Sequence, residues 1–387
     1  MLPTTSNGRT IAKIMTLFTI VILAYTFLNI KKNSALARFT PQAGYLYLID
    51  RGEDKESQIL VMELNTSNQV AVIPAGFDPQ VVLSKDGNWL YIAETVFVGE
   101  QPIDQIRVID TSNNWETKST INTPHRLRST VSTLPGVLAS SDDNRYLYIQ
   151  RYTNTASDKT ADYSVVTYDL LKNTLESEIS LPKYCTTANI MPSTEKLVIG
   201  CYGPSRSITF ADPLTGKSTN LIFSDPLDAK KIPSGNTEED IASITMSHDK
   251  KYVYAISKGA KLLVIDVASE SITNSFYLEK PADLMLPYYG VQLSQDDSEI
   301  YIGLGSKESV SQGKNDEIHI YNTSNWSFNS SISLPESSNG FISDGKGGFL
   351  SLGPSGRQVK ELSRTGLSVD AYSNQLVTRI DYLMMSK

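Results

Sequence analysis

The chain has 387 residues, a net charge of −7 and a pI near 5.2, which excludes the basic footprint of a nucleic-acid-binding protein. Three His and two Cys exclude a Cys/His zinc centre and a multi-haem protein. Hydrophobic (40%) and charged (20%) contents are ordinary for a globular chain, for which this length suggests two or three domains, and 20 Tyr against 3 Trp favours strands.

The N-terminus reads first. Ile14 to Ile30 is uncharged and apolar, with Arg9 and Lys13 before it and Lys31 and Lys32 after it. It is about the minimum length that spans a bilayer as a helix. Ala35-Leu36-Ala37 would suit a signal-peptidase site, but two lysines stand between it and a long apolar core. An uncleaved anchor is therefore the first reading and a cleaved signal the second. Both set residues 1–38 apart and send residues 39–387 across the membrane, as a periplasmic or extracellular domain. Because both flanks are basic, charge does not fix the orientation.

From residue 39 onward one pattern repeats: an apolar strand, a Ser-x-Asp-type turn and a second strand. It runs from Val81 to Ile92, Leu138 to Ile149, Ile244 to Ala255 and Val291 to Ile302, with weaker copies at Ala188 to Ile199 and Gly340 to Ser351. Asp, Asn and Gly in such turns tolerate left-handed geometry and bond their own backbone. A second hairpin follows each pair, so the unit is a four-stranded antiparallel meander. One meander cannot bury both its apolar faces, and radial stacking into a β-propeller solves this with only short edges left. At about 50 residues per unit the chain divides into seven blades. The first unit, beginning at Tyr45, lacks an innermost strand, and Leu376 to Met384 is a strand to spare. The expectation is an all-β, seven-bladed propeller of four-stranded antiparallel blades. Its C-terminal strand closes the ring, and one N-terminal transmembrane or signal helix precedes it.

In such a meander the tight turns and the long connections lie at opposite ends of the ring. The long set is Thr95–Asp104, Asn122–Leu134, Arg151–Asp162, Ser224–Glu239 and Gly305–Asp316, and loops on a rigid scaffold carry function. A ligand or partner is expected there, with His125, Arg126, Arg128, Arg151, Tyr152, Tyr288 and Tyr289 as candidate contacts beside the acidic Glu238-Glu239-Asp240. None has the spacing of a catalytic constellation, and each reads first as a solvated or packed loop residue. His125, His248 and His319 fall in different units, which argues against a shared metal. No P-loop, G-x-S-x-G or H-E-x-x-H occurs. The stretch Ser84 to Trp89 resembles a sialidase Asp-box only faintly and reads as a turn. No catalytic, cofactor-binding or metal-binding residue is assigned.

Cys185 precedes one predicted strand and Cys201 follows its hairpin partner, nearly opposite across a turn at Pro192–Glu195. An unbulged register puts them in disulfide range, and an exported chain would oxidise them.

The stretches QIRVIDTSNNWETKSTINTP, LASSDDNRYLYIQRY and LPKYCTTANIMPSTEKLVIGCYGPSRSITF, within residues 105–215, resemble the heavy chain of bacterial quinoprotein amine dehydrogenases. Cys185 and Cys201 look like that family's paired cysteines in the same blade. The resemblance implies a seven-bladed periplasmic scaffold without a redox centre of its own. It also implies a small catalytic subunit whose tryptophan tryptophylquinone is made from that subunit's own residues. The same repeat is similar to the wider YVTN and lactonase-like propellers. Two alternatives follow: a stand-alone exported propeller binding protein or glycan, and a lactonase-like hydrolase.

Overall fold

A computed structural model describes residues 44–51, 57–63, 68–122, 138–153, 162–182, 185, 187–193, 195–202, 206–223, 240–257, 259, 261–278, 284–285, 290–306, 316–334, 340–343, 348–352, 358–363, 368–373 and 380–385. The N-terminal apolar segment lies outside them.

The hairpins start from one turn used four times. Ser84 Oγ donates to Asp86 Oδ1 at 2.6 Å, Asn88 N donates to the same oxygen at 3.1 Å, and Trp89 N donates to Ser84 Oγ at 2.9 Å. The same three bonds recur at Ser141/Asp143/Arg145/Tyr146, Ser247/Asp249/Lys251/Tyr252 and Ser294/Asp296/Ser298/Glu299. In each, the fourth residue has positive φ: Gly87, Asn144, Lys250 and Asp297. The Asp-box likeness is thus a turn, and its siblings keep the bonding without the glycine. A second Asx-type turn joins the third and fourth strands. There Asp110, Asp169, Asp212, Asp266 and Asn322 accept from backbone N–H groups two or three residues on.

These turns connect antiparallel sheets. The first blade is β1 (Tyr45–Arg51), β2 (Ser57–Glu63) and β3 (Gln69–Ala75). The second is β4 (Phe77–Leu83), β5 (Trp89–Val98), β6 (Gln101–Asp110) and β7 (Glu116–Asn122). The third is β8 (Leu138–Ser140), β9 (Tyr146–Thr153), β10 (Asp162–Asp169) and β11 (Thr174–Ser180). The fourth is β12 (Thr187–Pro192), β13 (Leu197–Tyr202), β14 (Ser207–Ala211) and β15 (Ser218–Ile222), and the fifth is β16 (Ile241–Met246), β17 (Tyr252–Ser257), β18 (Lys261–Asp266) and β19 (Ser271–Tyr277). A five-stranded sheet follows: β20 (Leu284–Met285), β21 (Val291–Leu293), β22 (Glu299–Ser306), β23 (Glu317–Asn322) and β24 (Phe328–Ser333). The last sheet is β25 (Gly340–Ser343), β26 (Gly348–Leu352), β27 (Gln358–Ser363) and β28 (Ser368–Ser373). Strand β29 (Ile380–Met385) leaves it and pairs antiparallel with β1, Leu46 facing Met385, so the chain end supplies the first blade's missing strand.

The innermost strands form a circuit about a central axis. Strand β1 touches β4, β4 touches β8, β8 touches β12, β12 touches β16, β16 touches β21, and β25 touches β29. Between β21 and β25 the link is Gln292, whose Nε2 donates to Phe341 O and whose Oε1 accepts from Ser343 N, both at 2.8 Å. The core lies in wedges between consecutive sheets. The tyrosine recurring on second strands fills them: Tyr47 between the first and second blades, Tyr91 between the second and third, and Tyr148 between the third and fourth. Tyr254 and Tyr301 do the same on either side of the five-stranded sheet. Burial of a large apolar side chain contributes about 1.5–3 kcal/mol, so these wedges carry much of the ring's cohesion.

Two expectations need correction. Seven four-stranded blades were expected; among the described residues six sheets are four-stranded and one has five strands. In the five-stranded sheet both β20 and β21 pair with β22, so two short strands stand where one inner strand was expected. The expected long loop Thr95–Asp104 is instead a hairpin. Strands β5 and β6 stay paired from Thr95↔Asp104 to Val98↔Gln101 and close through Gly99 and Glu100, with Gly99 at φ 65. Val96, Phe97, Val98 and Ile103 are strand-forming residues, and their run outweighs the turn signal read from Gly99 and Pro102.

Candidate functional site

The expected site was the long-loop end. His125, Arg126, Arg128, Tyr288 and Tyr289 lie outside the described residues, as do Glu238 and Glu239. Arg151 and Tyr152 belong to β9 and not to a loop, with Tyr152 facing Tyr163 in register. Arg151 is only 9% exposed, and its Nη1 lies 3.4 Å from Glu178 Oε2 while Ser164 Oγ donates to Glu178 Oε1 at 2.5 Å. That ties three strands of one blade together. Asp240 is likewise buried, facing the buried Arg206 across 3.5 Å.

Sequence reading missed the most completely bonded group. Glu94, whose side chain is 1% exposed, takes both Arg107 Nε (2.6 Å) and Arg107 Nη2 (3.0 Å). Its carboxylate also accepts from Gln105 Nε2 at 2.8 Å and from Gly76 N at 2.7 Å. Arg107 Nη2 in turn donates to Pro74 O at 2.5 Å. Gly76 sits on the link between the first and second blades, where a Cβ would fall 2.5 Å from Thr95 O. The signal was present in the sequence: Glu94, Gln105 and Arg107 interrupt otherwise apolar strand positions. Every acceptor of the carboxylate is engaged, so the group is a clasp between blades and offers no lone pair to a substrate.

His319 is buried on β23 between its own i±2 neighbours, Nε2 lying 2.7 Å from Glu317 Oε2 and Nδ1 3.4 Å from Tyr321 Oη. Both ring nitrogens are occupied by the chain itself. Among the described residues, no three His, Cys, Asp or Glu side chains stand together as a metal-holding group.

Cys185 and Cys201 form a disulfide with Cα atoms 4.9 Å apart, both side chains fully buried between the third and fourth blades. The pairing was expected, but the geometry differs. Cys201 lies within β13 opposite Ala188, and Cys185 is two residues before β12, its N–H bonded to Pro182 O. The bond joins an interblade link to a second strand and does not cross directly opposed positions.

At the tight-turn end charged side chains of different turns pair with one another. Asp142 Oδ2 accepts from Lys85 Nζ at 2.8 Å and from Lys250 Nζ at 2.5 Å. Burial opposes ionisation of Asp142, but the ammonium groups of Lys250 and Lys85 outweigh it and hold the carboxyl below its usual range. His248, placed in a tight turn as expected, donates its N–H to Asp297 Oδ2 at 2.8 Å, and its Nδ1 lies 2.6 Å from Oδ1.

Comparison with known proteins fits this framework. Residues 43–197 match the family model described as methylamine dehydrogenase heavy chain. That segment runs from the first blade into the disulfide-bearing hairpin. No curated protein matches the chain. Solved structures share the fold at low identity. Dihydro-heme d1 dehydrogenase NirN in complex with DHE aligns with a TM-score of 0.53 and 13% identity over 91% of this chain. This chain spans 66% of that protein's length. Kuenenia stuttgartiensis hydrazine synthase gives 0.50 and 16%, covering 73% of this chain and 76% of that one. A chain of the mitotic checkpoint complex gives 0.51 and 12%, covering 78% of each. Such identities speak for architecture alone. Over residues 43–197 the chain is thus similar to the methylamine dehydrogenase heavy chain family, and its ring of antiparallel blades is that of a β-propeller.

Proposed function

We propose that the chain is an exported scaffold that acts as the heavy subunit of a quinoprotein amine dehydrogenase. The match of residues 43–197 to the heavy-chain family carries the reading. The buried Cys185–Cys201 disulfide supports it, because such a bond persists in oxidising compartments. In this proposal residues 14–30 anchor the chain, and residues 39–387 form the propeller on the far side of the membrane. A small subunit docks at the long-loop end and bears the tryptophan tryptophylquinone made from its own residues. When present, that quinone takes the electrons of the amine, and this chain contributes the rigid wall and not the reacting group.

The test uses the chain purified from its native membrane under mild detergent. Native mass spectrometry is expected to show a small cysteine-rich companion, and amine-dependent dye reduction is expected only when that companion is present. Dye reduction by the chain alone would overturn the non-catalytic role. A chain that purifies with no companion would favour a stand-alone binding propeller.

A further inference from the structure

We propose that residues 96–103, where β5 and β6 run on past their blade, are a docking arm that inserts into an apolar, cation-rimmed cleft of a partner protein. That a partner is present rests on the heavy-subunit reading above; the arm itself stands on the geometry of β4 to β7.

At the long-loop end of the second blade, β4 begins at the rung Phe77↔Thr95 and β7 ends at Gln105↔Asn122. Beyond those rungs β5 and β6 continue alone through Val96↔Ile103, Phe97↔Pro102 and Val98↔Gln101. Three rungs at about 3.3 Å per residue carry the tip about 10 Å past the four-stranded sheet. A two-stranded ribbon is marginal in water by itself, having no further layer to bury its apolar side chains. This one is nevertheless apolar on both faces. Cross-strand partners share a face, so Val96, Val98 and Ile103 lie on one, and Phe97 and Pro102 lie on the other with Phe77 at its base. Val98 is 64% exposed and Phe77 49%, and Phe97 and Ile103 are exposed as well. Exposed apolar side chains grouped in this way mark an interaction surface.

Charge selects the occupant. Between Lys85 and Arg107 the chain carries no Lys or Arg, while Glu100 stands exposed at the ribbon's tip and Asp104 near its base. A second copy of this ribbon would bring two acidic tips together, and an anionic lipid surface would repel them. The point where the chain enters the ring also turns the ribbon away from a membrane. Strand β1 is the second strand of its blade and so starts at the tight-turn end, which puts an anchor at residues 14–30 on the side opposite the ribbon. A flat surface would cover one apolar face, whereas a cleft covers both. These features suit a protein whose apolar cleft is rimmed by Lys or Arg.

The test weighs, by native mass spectrometry, the companion bound to the chain purified from its native membrane under mild detergent. Val98→Asp/Ile103→Asp puts two carboxylates on one face of the ribbon and is expected to lower the bound fraction about tenfold. Its melting temperature should match the parent's, because both side chains are exposed. Val98→Ser, which adds no charge, should act in the same direction and guards against a double variant that misfolds. Glu100→Lys keeps every apolar contact and should lower the bound fraction about threefold, through the cationic rim alone. Leu171→Asp/Leu214→Asp, at exposed turns of the opposite end, should leave it unchanged. An unchanged bound fraction in the ribbon variants, or an equal loss in the Leu171→Asp/Leu214→Asp chain, would overturn the arm. So would a ribbon variant that loses a second copy or lipid in place of a companion. A bound fraction in Glu100→Lys at or above the parent's would overturn the cationic rim. A companion that is lost from the ribbon variants but bears no quinone would uphold the arm and overturn the heavy-subunit reading. A quinone-bearing companion that the ribbon variants retain would do the reverse, and a parent chain with no companion would overturn both.

Discussion

The two ends of this ring are held by opposite kinds of interaction. At the tight-turn end most anchors are local: a serine bonds an aspartate two residues on, and the returning strand bonds that serine five residues on. Towards the long-loop end the anchors are distant in sequence. Glu94 meets Arg107 thirteen residues away and Gly76 eighteen away, Arg151 meets Glu178 at twenty-seven, Arg206 meets Asp240 at thirty-four, and the disulfide spans sixteen. A local anchor needs only its own six residues, so it can be copied from blade to blade. A distant anchor is a separate solution for each wedge, built from different residues every time. The repeat is accordingly regular at one end and individual at the other, and the individual end is where specificity has room to arise.

If that contrast is right, breaking a distant anchor should cost far more than breaking a local one. The largest effect is expected at the Glu94 clasp. Arg107→Met leaves a buried carboxylate without its cation and should lower stability by about 3–5 kcal/mol, whereas the double variant Glu94→Met/Arg107→Met should recover most of the loss. Denaturant melts of the two variants compare them directly. A single variant milder than the double would show that the clasp is not a buried ion pair in effect. Next comes the disulfide. Cys185→Ala/Cys201→Ala should cost about 3 kcal/mol, the loop-closure value for a separation of this size, and reductant should no longer shift the melting temperature. A melting temperature that still responds to reductant in the variant would contradict that assignment.

What could be read in advance follows the same division. The Ser-x-Asp turns and the tyrosine of the second strands are local signals, and both fell where the sequence placed them. The closing strand was readable by counting, because the first unit lacked an inner strand and the chain end had one to spare. The Thr95–Asp104 hairpin was misread because Gly99 and Pro102 signal a loop, while the strand character of Val96 to Val98 and Ile103 prevails. The pairing of β20 and β21 on one partner depends on which backbone groups meet across the sheet, and spacing does not encode that. In the fourth blade Val198 stands where other blades carry tyrosine. There Gly200 lets Ile244 approach so closely that a Cβ would lie 2.5 Å from Ile244 Cδ1, and Phe210 packs in the same wedge. That repeat looked weak because the wedge is filled from another strand. Arg151 as a loop cation and Arg151 as a buried tie on β9 are the same letter, and only its distant partner Glu178 tells them apart.

The smallest effects belong to the local turns, and these sharpen the comparison by adding up. Ser247 Oγ above all holds the Asp249 carboxyl at about 2, and the Ser298 hydroxyl, followed by Ser294 Oγ, holds that of Asp296 at about 2. Asp86 and Asp143 are lowered chiefly by Ser84 and Ser141, as Asp249 is by Ser247. A carboxyl depressed in the fold contributes stability above its ordinary value of 3.8, and that contribution fades as pH falls through the folded value. The four turns should therefore weaken together between about pH 4 and about pH 2, with no effect near neutrality. Ser247→Ala should cost about 1 kcal/mol at pH 7, the net worth of a partly exposed hydrogen bond. The same variant should be less acid-sensitive than the parent, since its Asp249 has lost the largest cause of its depression. Ser84→Ala and Ser141→Ala should behave alike, Ser294→Ala should change acid sensitivity less because Asp296 keeps the Ser298 hydroxyl, and the losses at pH 7 should sum to within a few tenths of a kcal/mol, because the turns share none of these three bonds. Chemical melts at pH 7 and pH 3 on the single and fourfold variants test this. A fourfold loss well above the sum would mean that the turns are coupled through the ion pairs of Asp142 with Lys85 and Lys250, which would make the regular end one connected unit and not four copies.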